Sequence, residues 1–207
     1  MASLIGSKVE RKEDKKFLTG RGRYTADINI LNQTYAYFVR SPHARAKINS
    51  INISKALKSS GVVKIFTGDD IAREKIGGLI AGWKIVSQDG KDMKVPNHPP
   101  LAKNSVNYVG DHVAVVIAES IEEAKNAAAL VNVSYITQKA VVNPGEAMQS
   151  GAIHEGIDQN LCFDFILGDK EKTEDSFSSA DKVIKLDLRN NRLIPNAMEP
   201  RACIGDY

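Results

Sequence analysis

The chain has 207 residues, a formal net charge of +3 and 26% charged side chains, enough for one large domain or for a medium domain and part of another. Acids and bases are interleaved (VERKEDKK) and no aromatic stripe runs beside the basic residues, which speaks against a nucleic-acid track. No apolar run approaches the roughly 18 residues of a membrane span, and the charged N-terminus does not read as a secretory signal. Cys162 and Cys203 lie far apart without metal-ligand spacing, and both are expected to be reduced thiols in a cytoplasmic protein.

Taken in chain order, LTGRGRYTADI places Gly20 and Gly22 around a turn, with a short strand expected through Tyr24. QTYAYFVRSP reads as a strand ended by Pro42, and AKINSINI alternates with period two at Ile48, Ile51 and Ile53. Ser54 is expected to cap a short helix, SKALKSS, closed by Gly61. GVVKIFTGDDI predicts a buried strand followed by a polar turn, and residues 72–100, with paired glycines and Pro99-Pro100, predict a long irregular loop.

YVGDHVAVVIAESIEEAKNAAALVNVSYI predicts strand, helix and strand. Val113 to Ala118 is continuously apolar, as in a strand covered on both faces. Ser120 with Glu123 forms a capping box, worth about 1 kcal/mol, and the alanines with Leu130 are expected to pack the inner helix face. A helix of this length could serve as a crossover, so 113–118 and 131–136 are expected to run parallel. Residues 140–170 read as a connector containing a domain boundary. EKTEDSFSSAD predicts a short helix capped by Thr173, with Phe177 and Ala180 inward, and residues 183–207 predict new strands.

RKEDKKFLTGRGRYTADI, YFVRSPHARAKI, GVVKIFTGDDI, VGDHVAVVIAESIEEAKNAA and RLIPNAMEPRACIGDY together resemble the amino-terminal part of the molybdenum-binding large subunit of the xanthine dehydrogenase, aldehyde oxidase and carbon monoxide dehydrogenase family. The resemblance implies an α+β chain: an N-terminal extension over 1–17, an α/β hammerhead domain over 18–140 and a connector over 141–170. The start of a molybdopterin-binding domain over 171–207 would follow. In the family the cofactor-binding loops and the general-base glutamate come after the position of Tyr207. The chain is therefore read as truncated, binding no cofactor and inactive alone. The intact enzyme would hold molybdopterin cytosine dinucleotide and partner with iron–sulfur and FAD-binding subunits or domains. NAMEPRA resembles the carbon monoxide dehydrogenase-like branch. An alternative is a non-catalytic docking or split-enzyme subunit needing a second chain.

No residue is assigned a catalytic or metal-binding role. GRGRY lacks the lysine and hydroxyl of a phosphate-cradling loop and reads as turn glycines. His43 has no carboxylate or nucleophile at a telling spacing, and His98, His112 and His154 show no ligand pattern. Arg40 and Arg45 are read as anchors to another domain or subunit. Glu199 and Arg201 are the residues singled out, because Pro200 stiffens the Glu-Pro-Arg corner and pushes Glu199 towards extended geometry. The resemblance places that corner near the approach to the molybdenum site, where the pair would orient substrate or brace a loop; a structural ion pair is the competing reading. Cys203, in an apparent alternating strand, is expected to be a small buried residue.

Overall fold

The computed structural model describes residues 5–191, 193–197 and 199–206. It divides into two compact units, Met1–Gln33 with Ile184–Tyr207, and Thr34–Val183.

The larger unit holds two three-stranded sheets. In the first, β5 (His112–Ala118) lies between β1 (Tyr35–Arg40) and β3 (Val62–Thr67), antiparallel to both. In the second, β2 (Ala46–Asn52) lies between β4 (Ser105–Val106) and β6 (Asn132–Thr137), again antiparallel. A helix α3 (Ile121–Ala128) packs against the first sheet through Ala124, Ala127 and Ala128. These small residues let the helix approach Ala114 and Val116 of β5 closely, and Ala56 and Ile65 complete that core. A second cluster, Ala46, Ala102, Val106 and Val113, joins β5 to the second sheet. β5 thus feeds both cores, consistent with its unbroken apolar run. Ser120 caps α3 as expected: its Oγ accepts the Glu123 backbone N–H at 3.2 Å and donates to Glu123 Oε2 at 2.8 Å.

Several expectations are corrected. β5 and the strand after α3 do not pair in parallel. Both edges of β5 are occupied by β1 and β3, so β6 crosses to β2 in the other sheet. Leu130 is half exposed rather than packed inward. β3 is an edge strand in which only Ile65 is buried, and it leads into a helix, α2 (Gly68–Arg73), rather than a turn. Asp70 Oδ2 accepts from the Thr67 backbone N–H at 2.8 Å and from its hydroxyl at 3.0 Å, closing a capping box that starts the helix. That backbone bond, with Arg73 assisting, holds the Asp70 carboxyl below its usual range. After Asn52 the chain forms only a 3-10 turn, Ala56–Lys58, in which Ser54 makes no cap; Ser54 N–H instead donates to Asn52 Oδ1.

Residues 74–104 contain no helix or longer strand, apart from one bridge between Val86 and Asp92. The segment after β6 carries two 3-10 turns, Pro144–Gln149 and Asp158–Asn160. Asn160 pins them together: its Nδ2 donates to Ala147 O at 2.8 Å and Gly151 O at 3.2 Å, and its Oδ1 accepts from Ile153 N–H at 2.8 Å. The last helix, α4 (Lys170–Ser179), buries no residue. Asp169 caps it, not Thr173, whose hydroxyl turns back to Asp169 O, and Phe177 is exposed.

The smaller unit contains α1 (Asp14–Leu18) and a 3-10 turn, Thr25–Asp27. Tyr24, expected in a strand, is the extended residue that opens this turn, and its ring stacks on Phe17 at 5.9 Å. The described residues of 184–206 form no strand. Cys203, expected to be buried in one, is exposed. Cys203 and Cys162 are both free thiols.

Candidate functional site

In the smaller unit the geometry gathers around Glu199. Its Oε1 accepts the Thr25 backbone N–H at 3.1 Å and faces the Thr25 hydroxyl at 3.4 Å. Asp27 Oδ2 accepts the Tyr24 N–H at 2.9 Å, so two carboxylates satisfy consecutive amides at the start of the 25–27 turn. A carboxylate on free N–H groups is the favourable arrangement at such a terminus. Arg201 is exposed, and no ion pair joins it to Glu199.

In the larger unit a cavity of about 550 Å³ opens beside α2. Gly68 lets α2 sit directly against the backbone of residues 102–103, since a Cβ there would lie 2.5 Å from the Ala102 carbonyl oxygen. Ile71, Ala72, Leu101 and Ile153 give apolar walls, and His98, Tyr108, Asp111 and His154 give polar ones. The Tyr108 hydroxyl lies 3.3 Å from His98 Nε2, with the two rings edge-on. Asp111 is 7% exposed and accepts the Asn107 N–H at 3.1 Å. Burial first, then the charge and hydrogen bond of Asp111, push the Tyr108 phenol up. Burial, followed by Arg45 and His98, pushes the His154 imidazole below its ordinary value. At neutral pH the cavity therefore presents a protonated phenol and a neutral imidazole.

The remaining basic residues hold the framework. Arg40 Nη1 donates to Gly110 O at 3.1 Å, and Arg45 donates to Lys139 O at 3.2 Å and Ala152 O at 3.1 Å. Both expected anchors thus act within their own unit. His43 packs edge-on against Tyr135 at 4.9 Å. His112 stacks on Phe38 at 4.5 Å, its Nε2 buried without a hydrogen-bond partner, and burial with the nearby Arg40 charge lowers its pKa. Sequence reasoning missed the cavity because its walls come from α2, from residues 96–111 and from Ile153 and His154, with no spacing motif to join them.

The larger unit thus combines two antiparallel three-stranded sheets with an alanine-faced helix. Residues 19–139 match the family model described as aldehyde oxidase and xanthine dehydrogenase, a/b hammerhead domain. The chain belongs to that family. It is 34% identical over 212 residues to the nicotine 6-hydroxylase large subunit of Paenarthrobacter nicotinovorans, which covers 99% of this chain and 24% of that protein. It is 30% identical to the carbon monoxide dehydrogenase large chain of Afipia carboxidovorans, covering 97% of this chain and 25% of that one. The solved structure of reconstituted CO dehydrogenase from Oligotropha carboxidovorans superposes with a TM-score of 0.70 at 29% identity, over 86% of this chain and 22% of that chain. The chain spans about a quarter of the length of these relatives.

A second solved structure that the chain resembles, at 29% identity with a TM-score of 0.67 over 86% of this chain and 23% of that one, is the Cu,Mo-CO dehydrogenase. Among the described residues no group of three or more His, Cys, Asp and Glu side chains is arranged to hold a metal ion. Nor is any helix among them long and apolar enough to cross a membrane.

Proposed function

We propose that this polypeptide is the amino-terminal, hammerhead-bearing piece of a molybdenum hydroxylase large subunit and has no oxidoreductase activity alone. The observation that carries this reading is its end-to-end similarity to about a quarter of such subunits, with 99% of the chain aligned to 24% of one of them. The complete enzyme would hydroxylate its substrate with water as the oxygen source, releasing two electrons and two protons per turnover. Molybdopterin cytosine dinucleotide would supply the redox metal, and iron–sulfur and FAD-binding partners would take the electrons in the cytoplasm. Within this reading residues 1–17 are an extension, 18–140 the hammerhead, 141–170 a connector and 171–207 the opening of the molybdopterin-binding domain. Glu199 braces the Thr25–Asp27 turn, supported by its bond to the Thr25 amide, and Arg201 faces solvent, open to a neighbouring loop.

A second reading is a split enzyme completed by another chain. It is favoured by the extended apolar residues Ile184, Leu186 and Leu188, which are at least 76% exposed and share one parity. Intact mass and immunoblotting of the native product discriminate the two. A species several times 22.6 kDa supports the large-subunit reading. A species of this size that restores activity when mixed with the remainder supports the split enzyme. A chain of this size that oxidises substrate unaided overturns both.

A further inference from the structure

We infer that the cavity beside α2 is a binding site for an uncharged, flat small molecule with an apolar body and a hydrogen-bond donor. This site lies within the larger unit, with Ile153 and His154 contributed by the segment after β6, and does not depend on the enzymatic reading above. The cavity volume of about 550 Å³ falls within the range of roughly 300–1,000 Å³ typical of small-molecule sites. Its walls combine apolar side chains, Ile71, Ile76, Leu101 and Ile153, with converging polar groups that can orient a ligand.

The charges around it cancel. Lys103 at the rim is answered by Asp69 at 3.1 Å. Asp111 accepts the Asn107 N–H at 3.1 Å, and it acts with Arg40, opposite in sign, on Tyr108 and His112. His154 is kept neutral by burial and by Arg45. An ion entering this space would lose its hydration without gaining an unanswered opposite charge, which penalises both anions and cations. A neutral donor meets no such penalty. The Tyr108 hydroxyl oxygen, 3.3 Å from His98 Nε2, supplies one acceptor. Neutral His154 supplies a second acceptor. Ile71, Ala72 and Ile153 offer the apolar surface that an aromatic or alicyclic body would cover.

The test uses the full chain with phenol as the neutral probe, benzoate and benzylammonium as charged counterparts, and toluene as the analogue without a donor. Imidazole resonances of His98 and His154 report on the cavity, and His43, packed on Tyr135, is the control. Phenol is expected to shift His98 and His154 saturably while His43 stays still. Both ions should bind at least tenfold more weakly, and toluene at least threefold. Ala72 is exposed on α2 and lines the cavity, so Ala72→Trp should fill the opening and weaken phenol at least tenfold. His154→Leu, a second variant, should weaken it about fivefold. Shifts that rise linearly without saturating overturn the site. So does phenol binding that survives both substitutions, or benzoate or benzylammonium binding as tightly as phenol.

Discussion

Gly61 ties the first sheet to α3 through a contact that can be dissected energetically. It sits between the Ala56–Lys58 turn and β3 with φ of +69°, and its carbonyl accepts the Glu119 N–H at 2.9 Å. A Cβ there would collide with the carboxylate of Glu123. That carboxylate is held in place by Ser120 at 2.8 Å and faces Ser60 Oγ at 3.4 Å. Gly61→Ala therefore carries two penalties. The left-handed backbone costs an alanine about 1 kcal/mol. Displacing Glu123 from its capping box costs about another 1 kcal/mol. The substitution should lower the unfolding free energy of the larger unit by about 2 kcal/mol, read by urea denaturation. In a Glu123→Ala background the collision is gone, and the same glycine substitution should cost only about 1 kcal/mol. The double-mutant cycle thus has a coupling of about 1 kcal/mol. Strictly additive costs would refute the claim that Glu123 is what the glycine makes room for.

Asn160→Ala removes three hydrogen bonds from the connector. It should raise amide exchange over 147–157 at least tenfold while leaving β5 unchanged. Both His112 and His154 have depressed folded pKa values, from burial first and then from neighbouring arginines. The unfolded chain thus binds their protons at higher pH than the folded one. Their contribution to stability is complete above the ordinary imidazole pKa of about 6.5 and is lost as pH falls below it. Imidazole titrations should give midpoints under that value for both, and His112→Gln with His154→Gln should flatten the loss of stability between about pH 6.5 and 5. Glu199→Gln keeps an acceptor but removes the charge, so exchange at the Thr25 amide should rise severalfold, and Glu199→Ala should raise it further. The described residues of 184–197, which hold no strand, should exchange far faster than 113–118; equal protection would contradict the exposed geometry of Ile184, Leu186 and Leu188.

Local signals in the sequence survived wherever the physics they express is local. The Ser120–Glu123 box, the strand ended before Pro42 and the unbroken apolar run of β5 depend on neighbours within a few residues, and each stands in the fold. The failures came where an element's environment is set by distant chain. VVKIFT looks like a core strand, yet it lies at a sheet edge with Val63 exposed. Phe177 and Leu130 look like core contacts, but no surface of the larger unit covers them. The Thr25–Glu199 bond links residues 174 apart, and nothing in the spacing of GRGRYTAD or NAMEPRA announces it.

The position of β6 shows most clearly why. Strand, helix and strand with short connections is the pattern of a parallel crossover, and the pattern alone favours pairing β5 with β6. Such pairing requires a free edge on β5, and both edges are taken: one by β1, which precedes it by many residues, and the other by β3. The strand leaving α3 then has only the second sheet to join, where β2 offers an edge from Ala46 to Asn52. This displacement puts β4 and β6 on opposite sides of β2. It also carries the chain after β6 past Arg45, which fastens Lys139 and Ala152 and so brings Ile153 and His154 to the cavity wall. The site and the misjudged strand share one cause: the occupancy of a sheet edge, a property of the whole unit that no local window of sequence contains.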